Sequence, residues 1–255
     1  MTGERALAGH FETFAVVSSA TVARGTPVGH EAVCGSSAVT SQSVDSSRET
    51  RRSTYLTTYL RVDIFRPMET TTTVREQILD HAITLIMLRG YNGFSYRDLS
   101  SLVGVKTSSI HYYFPSKDDL VLEAVNEYSK EVLNAIHAID ASLPADAKLN
   151  KYGKLFGRTL GDGDQICLCG MLAADIGSLP DNIRQAVQAF FKANESWLAK
   201  VLAQGLREHT LAVNSRPENA ARALYAAFQG SVLASRLFHT KARLEDVEAS
   251  VRIAR

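Results

Sequence analysis

The chain has 255 residues, of which 45% are hydrophobic, and its 28 lysines and arginines nearly balance its 27 aspartates and glutamates. The net charge of +1 excludes a protein that coats nucleic acid through bulk positive charge, and it excludes an acidic solvating tail. Charged residues interrupt the apolar stretches well before the roughly 18 residues of a membrane span, so no membrane partner is expected. Three cysteines, Cys34, Cys167 and Cys169, are too few for a disulfide framework, which favours a cytoplasmic location.

The first 67 residues differ in composition from the rest of the chain. They are rich in Ser, Thr, Val and Arg and have no sustained helical period, which is typical of a disordered segment. Residues 55–65 have the pattern of a strand, but no partner strand is evident. A second interpretation is that Met68 is the biological start and that residues 1–67 are a spurious extension. Both interpretations stay open, and N-terminal sequencing of the native protein would decide between them.

From Val74 onward the apolar residues recur with a period near 3.6, which predicts helices throughout and an all-α fold. The first helix ends at Gly90, and the helix capped by Ser116 extends to about residue 141. Further helices are predicted near residues 149–160, 166–178, 181–209, 217–239 and 244–251.

Residues 95–114 have the layout of a helix-turn-helix. Ser95 and Asp98 form a variant capping box for a helix that ends at Gly104, and a second short helix runs from about residue 107 to 114, before Pro115. We expect the apolar residues to pack the corner and to leave the second helix free to enter the major groove. These corner residues are Leu99, Leu102, Val105, Ile110 and Phe114.

This region resembles the TetR/AcrR family of transcriptional regulators. The resemblance rests on FSYRDLSSLVGVKTSSIHYYFPSKDDLVLEAV, residues 94–125, and with the helices around it covers about residues 74–251. It implies a helix-turn-helix DNA-binding domain at residues 68–120 and a helical ligand-binding and dimerisation domain at residues 121–255. The implied function is a repressor that leaves its double-stranded DNA operator when a small-molecule inducer binds.

Eight residues are candidates for DNA contact. Thr107 and Ser108 begin the second short helix, where hydroxyls reach base edges and N–H groups suit a phosphate, and His111 and Tyr112 lie one turn further along the same face. The resemblance implies that His111, Tyr113 and Lys117 contact phosphates and that Tyr112 contacts a base edge, although packing in the core is an equal alternative for Tyr113. The full set is Ser95, Lys106, Thr107, Ser108, His111, Tyr112, Tyr113 and Lys117.

Lys106 stands where relatives often carry a capping Ser or Thr, so the helix cap can shift to Thr107. Acidic and basic residues balance over residues 70–120. DNA binding therefore has to depend on a few well-placed cations, on helix N-termini and hydroxyls, and on doubling by a dimer.

Small residues recur at helical spacing near the C-terminus and suggest a homodimer. Together with the final helix they can form a four-helix bundle across a two-fold axis, although packing within one chain is the alternative. The predicted interface residues are Ala223, Ala227, Gly230, Ala234 and Leu237.

Several large side chains of the C-terminal part can line a ligand pocket, although packing in the core is the commoner role for each of them alone. They are Tyr128, Tyr152, Phe156, Cys167, Met171, Phe191 and Trp197. Cys167 follows a glycine-containing loop at a helix start, where the helix dipole lowers a thiol pKa, so an electrophile or oxidant sensor built on Cys167 and Cys169 is an alternative to inert buried thiols.

No catalytic set, cofactor fingerprint or metal site is predicted, and we expect no enzyme. The remaining alternative is a helical small-molecule-binding protein whose helix-turn-helix has no role on DNA.

Overall fold

A computed structural model describes residues 73–160 and 165–253 of the chain. Within these ranges every regular element is helical, apart from one isolated antiparallel bridge between Leu211 and Arg252, and the predicted all-α fold is confirmed. The helices are α1 (Val74–Arg89), α2 (Tyr96–Val103), α3 (Thr107–Tyr113), α4 (Lys117–His137), α5 (Ala145–Leu160), α6 (Leu168–Ala174), α7 (Asp181–Glu208), α8 (Pro217–Phe238) and α9 (Ala242–Ala249). A 3-10 turn, Ile176–Ser178, follows α6.

The predictions for the N-terminal segment concern residues outside these ranges. They are the disordered or spurious extension 1–67, the strand at 55–65, the start at Met68, and Cys34. The domain limits 68–120 and 121–255 stay predictions; α4 runs through the boundary at 120.

Short-range signals set the N-termini of the first helices. Thr73 and Glu76 form a capping box for α1, and Ser116 and Asp119 form one for α4. In each box the carboxylate accepts the N–H of the capping residue, which satisfies an otherwise free donor. The predicted cap of α4 at Ser116 is therefore present, and Ser95 and Asp98 form the predicted capping box of α2.

Among the boundaries that differ from the sequence prediction, two are set by loop or long-range contacts. The helix α4 ends at His137 rather than near residue 141, since the Asp140 carboxylate accepts the N–H and hydroxyl of Ser142 and starts a turn. The helix α5 begins at Ala145, earlier than predicted, and its first N–H donates to Glu208, at the far end of α7, over 2.8 Å. A cap from another helix leaves no local signal in the sequence.

The helices form one continuous apolar core. α1, α2 and α3 pack together beside the first turns of α4, and the long helices α4, α5, α7 and α8 pack beyond them. α6 is a short helix that contacts α1, α4 and α7. It therefore connects the helix-turn-helix end of the molecule to the large helical part.

Candidate DNA-binding surface and ligand cavity

The corner between α2 and α3 is fixed by buried side chains and a left-handed turn. Leu99, Ile110 and Phe114 are almost completely buried, and Leu102 and Val105 pack against them, as predicted. Gly104 adopts a φ of 77°, a conformation that glycine tolerates without steric cost. The second short helix is thereby held at a fixed angle to the first.

Tyr96 connects this corner to the start of α4. It was not among the residues predicted from sequence. Its hydroxyl donates to the carbonyl oxygen of Ser116 over 2.6 Å and lies 2.9 Å from that of Phe114. Burial, with the nearby charges of Asp119 and Asp118, raises the pKa of Tyr96 to about 12. One neutral phenol therefore joins the first residue of α2 to the segment that links α3 and α4.

The N-cap of α3 lies one residue before Thr107, the residue to which the sequence suggested that the cap could shift. Lys106 is its N-cap, with an extended backbone, and Thr107 is its first helical residue. The idea that the cap moves to Thr107 is therefore wrong. Lys106 offers no side-chain acceptor to the helix, while the hydroxyl of Ser100 donates to the Val105 carbonyl over 2.6 Å and stabilises the turn instead.

Most of the side chains predicted to contact DNA are exposed. Tyr112 is 81% exposed, the highest fraction of the large apolar residues in the described ranges. Its ring lies edge-on to that of Tyr113, with centroids 5.1 Å apart, while Tyr113 is half-buried against the core. The exposed members of the predicted set are Ser95, Lys106, Thr107, Ser108, His111 and Tyr112.

Two predicted phosphate contacts also have partners inside the protein. The Nδ1 atom of His111 lies 3.3 Å from the carbonyl oxygen of Pro115, and its ring lies 4.7 Å from that of Tyr96. Lys117 donates from Nζ to the carbonyl oxygen of Phe94 over 2.6 Å. Burial lowers the pKa of Lys117, whose ammonium lies over the Phe94 ring. The phosphate roles of both residues stay predictions.

Several carboxylates of residues 70–120, where acidic and basic residues balance, accept hydrogen bonds within the fold. Asp98 accepts the N–H and hydroxyl of Ser95, and these hydrogen bonds lower the pKa of Asp98. Asp119 accepts the N–H and hydroxyl of Ser116. Asp118 accepts the hydroxyl of Tyr91 over 2.5 Å. These carboxylates act within the fold, at helix N-termini. The exposed ammonium of Lys106 therefore contributes a local positive charge beside the first turn of α3.

A small cavity of about 30 Å³ lies between α4, α5 and α7, beside the start of α6. It brings together four of the predicted pocket residues: Tyr128, Tyr152, Phe156 and Cys167. Met171, Phe191 and Trp197 are not in its lining; Trp197 stacks on the far side of Tyr152, with ring centroids 5.2 Å apart. Sequence reasoning missed the other lining residues, Val132, Ala135, Ile136, Leu155, Thr159, Phe190 and Asn194.

Asn194 is the lining residue that a sequence signal could have revealed, because it is a polar residue on the apolar face of a long amphipathic helix. It is completely buried. Its Oδ1 accepts the Tyr152 hydroxyl over 2.9 Å, and its Nδ2 donates to the Phe190 carbonyl. The Asn194 amide is therefore a polar group held in a fixed orientation in a mostly apolar lining.

The two cysteines of this region are buried. Cys167 is the N-cap of α6 and only 3% exposed, and Cys169 lies fully inside. Burial, with a smaller effect of the neighbouring Cys167, raises the pKa of the Cys169 thiol well above its ordinary value. A high thiol pKa and lack of solvent contact both oppose reaction at Cys169.

The predicted dimer stripe lies on the outer surface of α8. Ala223, Ala227, Gly230 and Leu237 are exposed, and Ala234 is half-buried. Leu233 continues the same surface and is 53% exposed, although the sequence did not single it out. Leu224 and Phe228, which alternate with this stripe, point into the core of the same chain. We call this surface, from Ala223 to Leu237, the α8 face.

Two absences hold for the described ranges. None of the helices there combines the length and the hydropathy that a membrane span requires. No three His, Cys, Asp or Glu side chains of residues 73–160 and 165–253 are grouped so that they could hold a metal ion.

Comparison with known proteins identifies both halves of this architecture. Residues 78–124, from α1 into α4, match the model of bacterial regulatory proteins of the tetR family, and residues 163–251 match the tetracyclin repressor-like C-terminal domain. A TetR family transcriptional regulator from Agrobacterium tumefaciens has a similar crystal structure, with a TM-score of 0.67 and 30% identity over 71% of this chain and 98% of that chain.

Two curated relatives extend the comparison. The HTH-type transcriptional regulator LmrA of Bacillus subtilis is 29% identical over 63% of this chain and 85% of that protein. The HTH-type transcriptional repressor NemR of Escherichia coli is 23% identical over 70% of this chain and 92% of that protein. With an exposed recognition helix on an all-α scaffold, this chain belongs to the TetR family and is a DNA-binding transcriptional regulator.

Proposed function

We propose that the protein is a homodimeric repressor that binds a two-fold operator through α3 and leaves it when a small molecule occupies the cavity. The observation that carries the proposal is the exposed face of α3, where Thr107, Ser108 and Tyr112 point away from a buried corner. Such a face suits a major groove, since hydroxyls and a phenol can meet base edges there. It acts in the cytoplasm, where the bacterial chromosome lies.

A dimer is needed because one recognition unit is small and its charges balance. The α8 face offers exposed apolar and small residues that allow close approach of a second copy. Two copies would present two α3 helices to half-sites about one helical turn, or a few turns, apart. The name of the Escherichia coli relative supports repression rather than activation.

Release of the repressor from its operator by a ligand requires two states of the dimer that differ in the spacing of the two α3 helices. A molecule in the cavity changes operator affinity only to the extent that it binds one state more tightly than the other. The cavity lies beside α6, which contacts α1, so its occupancy can bias the position of the helix-turn-helix.

The test is equilibrium binding to DNA. Operators are selected from random duplexes and from the region upstream of the gene, and affinity is measured by fluorescence anisotropy against scrambled DNA. We expect specific binding that Tyr112→Ala weakens at least about tenfold at the selected sequence, as for the removal of a base contact. Tyr112→Phe is the matched control that keeps the ring. A wild-type protein without sequence preference, or a Tyr112→Ala protein with unchanged affinity, would refute the proposal.

A further inference from the structure

The C-terminal end of α1 is completed by groups from the large helical part of the chain. In a continuing helix the Met87 carbonyl oxygen would accept the N–H of Tyr91, four residues later. That N–H donates to Asp175 at the end of α6 instead. The Met87 oxygen accepts the N–H of Ile166, just before α6, over 3.3 Å. Hydrogen bonds from outside α1 therefore replace those that its next turn would have made.

Arg236, in the last turn of α8, supplies the next of these contacts. Its guanidinium donates to the Leu88 carbonyl oxygen over 2.9 Å, across 148 residues of chain. The bond is charge-assisted and partly buried, and the dipole of α1 favours a positive charge at this end. Since α1 packs mainly on α2, α4 and α6, and α8 mainly on α5, α7 and α9, Arg236 connects two helices with different main packing partners.

Gly90 lies at the centre of these contacts. It is buried, and its φ of 74° is one that a side chain would strain. A Cβ at this position would meet the Asp175 carboxylate. The glycine therefore allows the end of α1 to approach the end of α6 closely, beside the bond from Arg236.

The last turn of α8 also belongs to the α8 face. Leu237 follows Arg236 directly, Leu233 lies one turn before Leu237, and both leucines are exposed. Adjacent side chains of a helix point roughly 100° apart, so Arg236 and Leu237 are directed to different sides. One turn of α8 therefore contacts α1 and presents a leucine for a second copy of the chain.

The other end of α1 is joined to the helix-turn-helix. Arg75, in the first turn of α1, forms an ion pair with Glu123 of α4 over 2.6 Å, and its guanidinium lies over the Phe114 ring after α3. α1 also packs directly on α2 and α3. A change in the direction of α1 would therefore carry α3 with it.

We infer that Arg236 is a positioning residue for operator recognition. Through its bond to Leu88 it fixes α1 against α8, and thereby sets the spacing of the two α3 helices in the dimer. This inference rests on the proposed homodimer and names a residue that determines its geometry on DNA.

The test measures the distance between the two helix-turn-helix units without DNA. A nitroxide is attached at Ser101→Cys, an exposed position of α2, in a Cys34→Ser background in which Cys167 and Cys169 are buried. Double electron–electron resonance then gives the distribution of distances between the labels of the two copies. We expect Arg236→Met to broaden this distribution at least about twofold or to shift its maximum, since α1 is freed from α8. A dimer of Arg236→Met with the wild-type distribution would overturn the inference.

Two further variants separate positioning from folding. Arg236→Lys keeps the charge and a donor, so it should narrow the distribution relative to Arg236→Met. Arg207→Met makes the same change at an exposed arginine in the last turn of α7 and should leave the distribution unchanged. Arg236→Lys and Arg236→Met proteins with equally broad distributions would overturn the inference. So would an Arg236→Met protein that sediments as a monomer, because Arg236 would then act on the interface itself.

Operator binding is measured on the same proteins with the spacer between the half-sites varied. Arg236→Met should lose at least about tenfold in affinity at the wild-type spacer, since both half-sites are no longer engaged together, and should bind a duplex with one half-site like the wild type. An unchanged dependence on spacer length in Arg236→Met would overturn the role of Arg236 alone. A wild type that is monomeric or has no sequence preference would instead overturn the proposed function.

Discussion

The main-chain N–H of Tyr91 donates to Oδ2 of Asp175 over 2.7 Å and joins the end of the first helix to α6. Asp175 is the C-cap of α6, and Cys167, the N-cap of that helix, lines the cavity. Beside this bond the Asn92 amide donates to the Ser178 hydroxyl over 3.0 Å. A helix of two turns therefore has one end at the cavity and the other on the loop that precedes α2.

Asp175→Ala should loosen this connection. The loss of a hydrogen bond to a charged acceptor costs about 1.5–3 kcal/mol, so we expect a lower free energy of unfolding and faster hydrogen exchange at the Tyr91 amide. Asp175→Asn keeps an acceptor oxygen and should lose less than Asp175→Ala. Asp181→Ala, an exposed acidic residue at the start of α7, is the control. Equal exchange at Tyr91 in all variants would contradict the role of Asp175.

The helix-turn-helix could be predicted from sequence because its signals are local. Ser95, Asp98 and Gly104 lie within ten residues, and each acts on the backbone next to it. Tyr96 was missed, since the acceptors of its hydroxyl lie in the segment between α3 and α4 and aromatic residues in short helices usually serve only as core.

The cavity could be predicted only in part, since it forms where the faces of several helices converge. Periodicity places Tyr152 and Phe156 on an apolar face, but it does not tell which apolar residues pack and which border empty space. Trp197 illustrates the limit, because it stacks behind Tyr152 rather than facing the cavity. Asp175 was missed for a related reason: its partner is 84 residues away.

Lys117 tests whether a residue held inside the fold also binds DNA. One N–H of its ammonium donates to Phe94, which leaves two donors for a phosphate. We expect Lys117→Met to lower thermal stability and to reduce the slope of log affinity against log salt by about 0.9 for each phosphate that the variant no longer neutralises. Lys130→Met, an exposed position further along α4, should change neither. An unchanged salt slope with lowered stability would leave Lys117 a purely structural role.

The α8 face should be covered in solution. Leu237 is 72% exposed in one chain, and Leu237→Glu would place an unpaired charge inside a dimer contact, at a cost of about 3–5 kcal/mol. We expect this variant to sediment as a monomer and to lose operator affinity. Leu206→Glu, the same change at a partly exposed leucine of α7, should remain dimeric. A Leu237→Glu protein that stays dimeric would place the interface elsewhere.

Burial of Cys167 and Cys169 leads us to expect slow thiol chemistry. In a Cys34→Ser background, labelling of the native protein by a thiol reagent should be at least about a hundredfold slower than labelling of the unfolded protein, since it requires local opening. N-ethylmaleimide should leave operator binding unchanged over the same time. Rapid labelling with loss of operator binding, prevented by Cys167→Ser, would favour the thiol-sensor alternative instead.

Tyr96→Phe should weaken the corner between α2 and α3 in a pH-dependent way. The variant loses the hydrogen bond from the Tyr96 hydroxyl to the Ser116 carbonyl, so its free energy of unfolding at neutral pH should fall by about 0.5–1.5 kcal/mol. The pKa of Tyr96 is raised to about 12 in the folded protein, against about 10 for an unfolded tyrosine. The neutral phenol is therefore the form that stabilises the fold: its contribution is complete below about pH 10 and is lost as the pH rises toward 12.

The difference in unfolding free energy between wild type and Tyr96→Phe should accordingly shrink over that window. Urea titrations from pH 8 to about 12 would measure it, with phenol ionisation followed by ultraviolet absorbance. A difference that stays constant up to pH 12 would show that the Tyr96 hydroxyl does not hold α4 to the corner. In that case the orientation of α3 would depend on the apolar contacts of Ile110 and Phe114 alone.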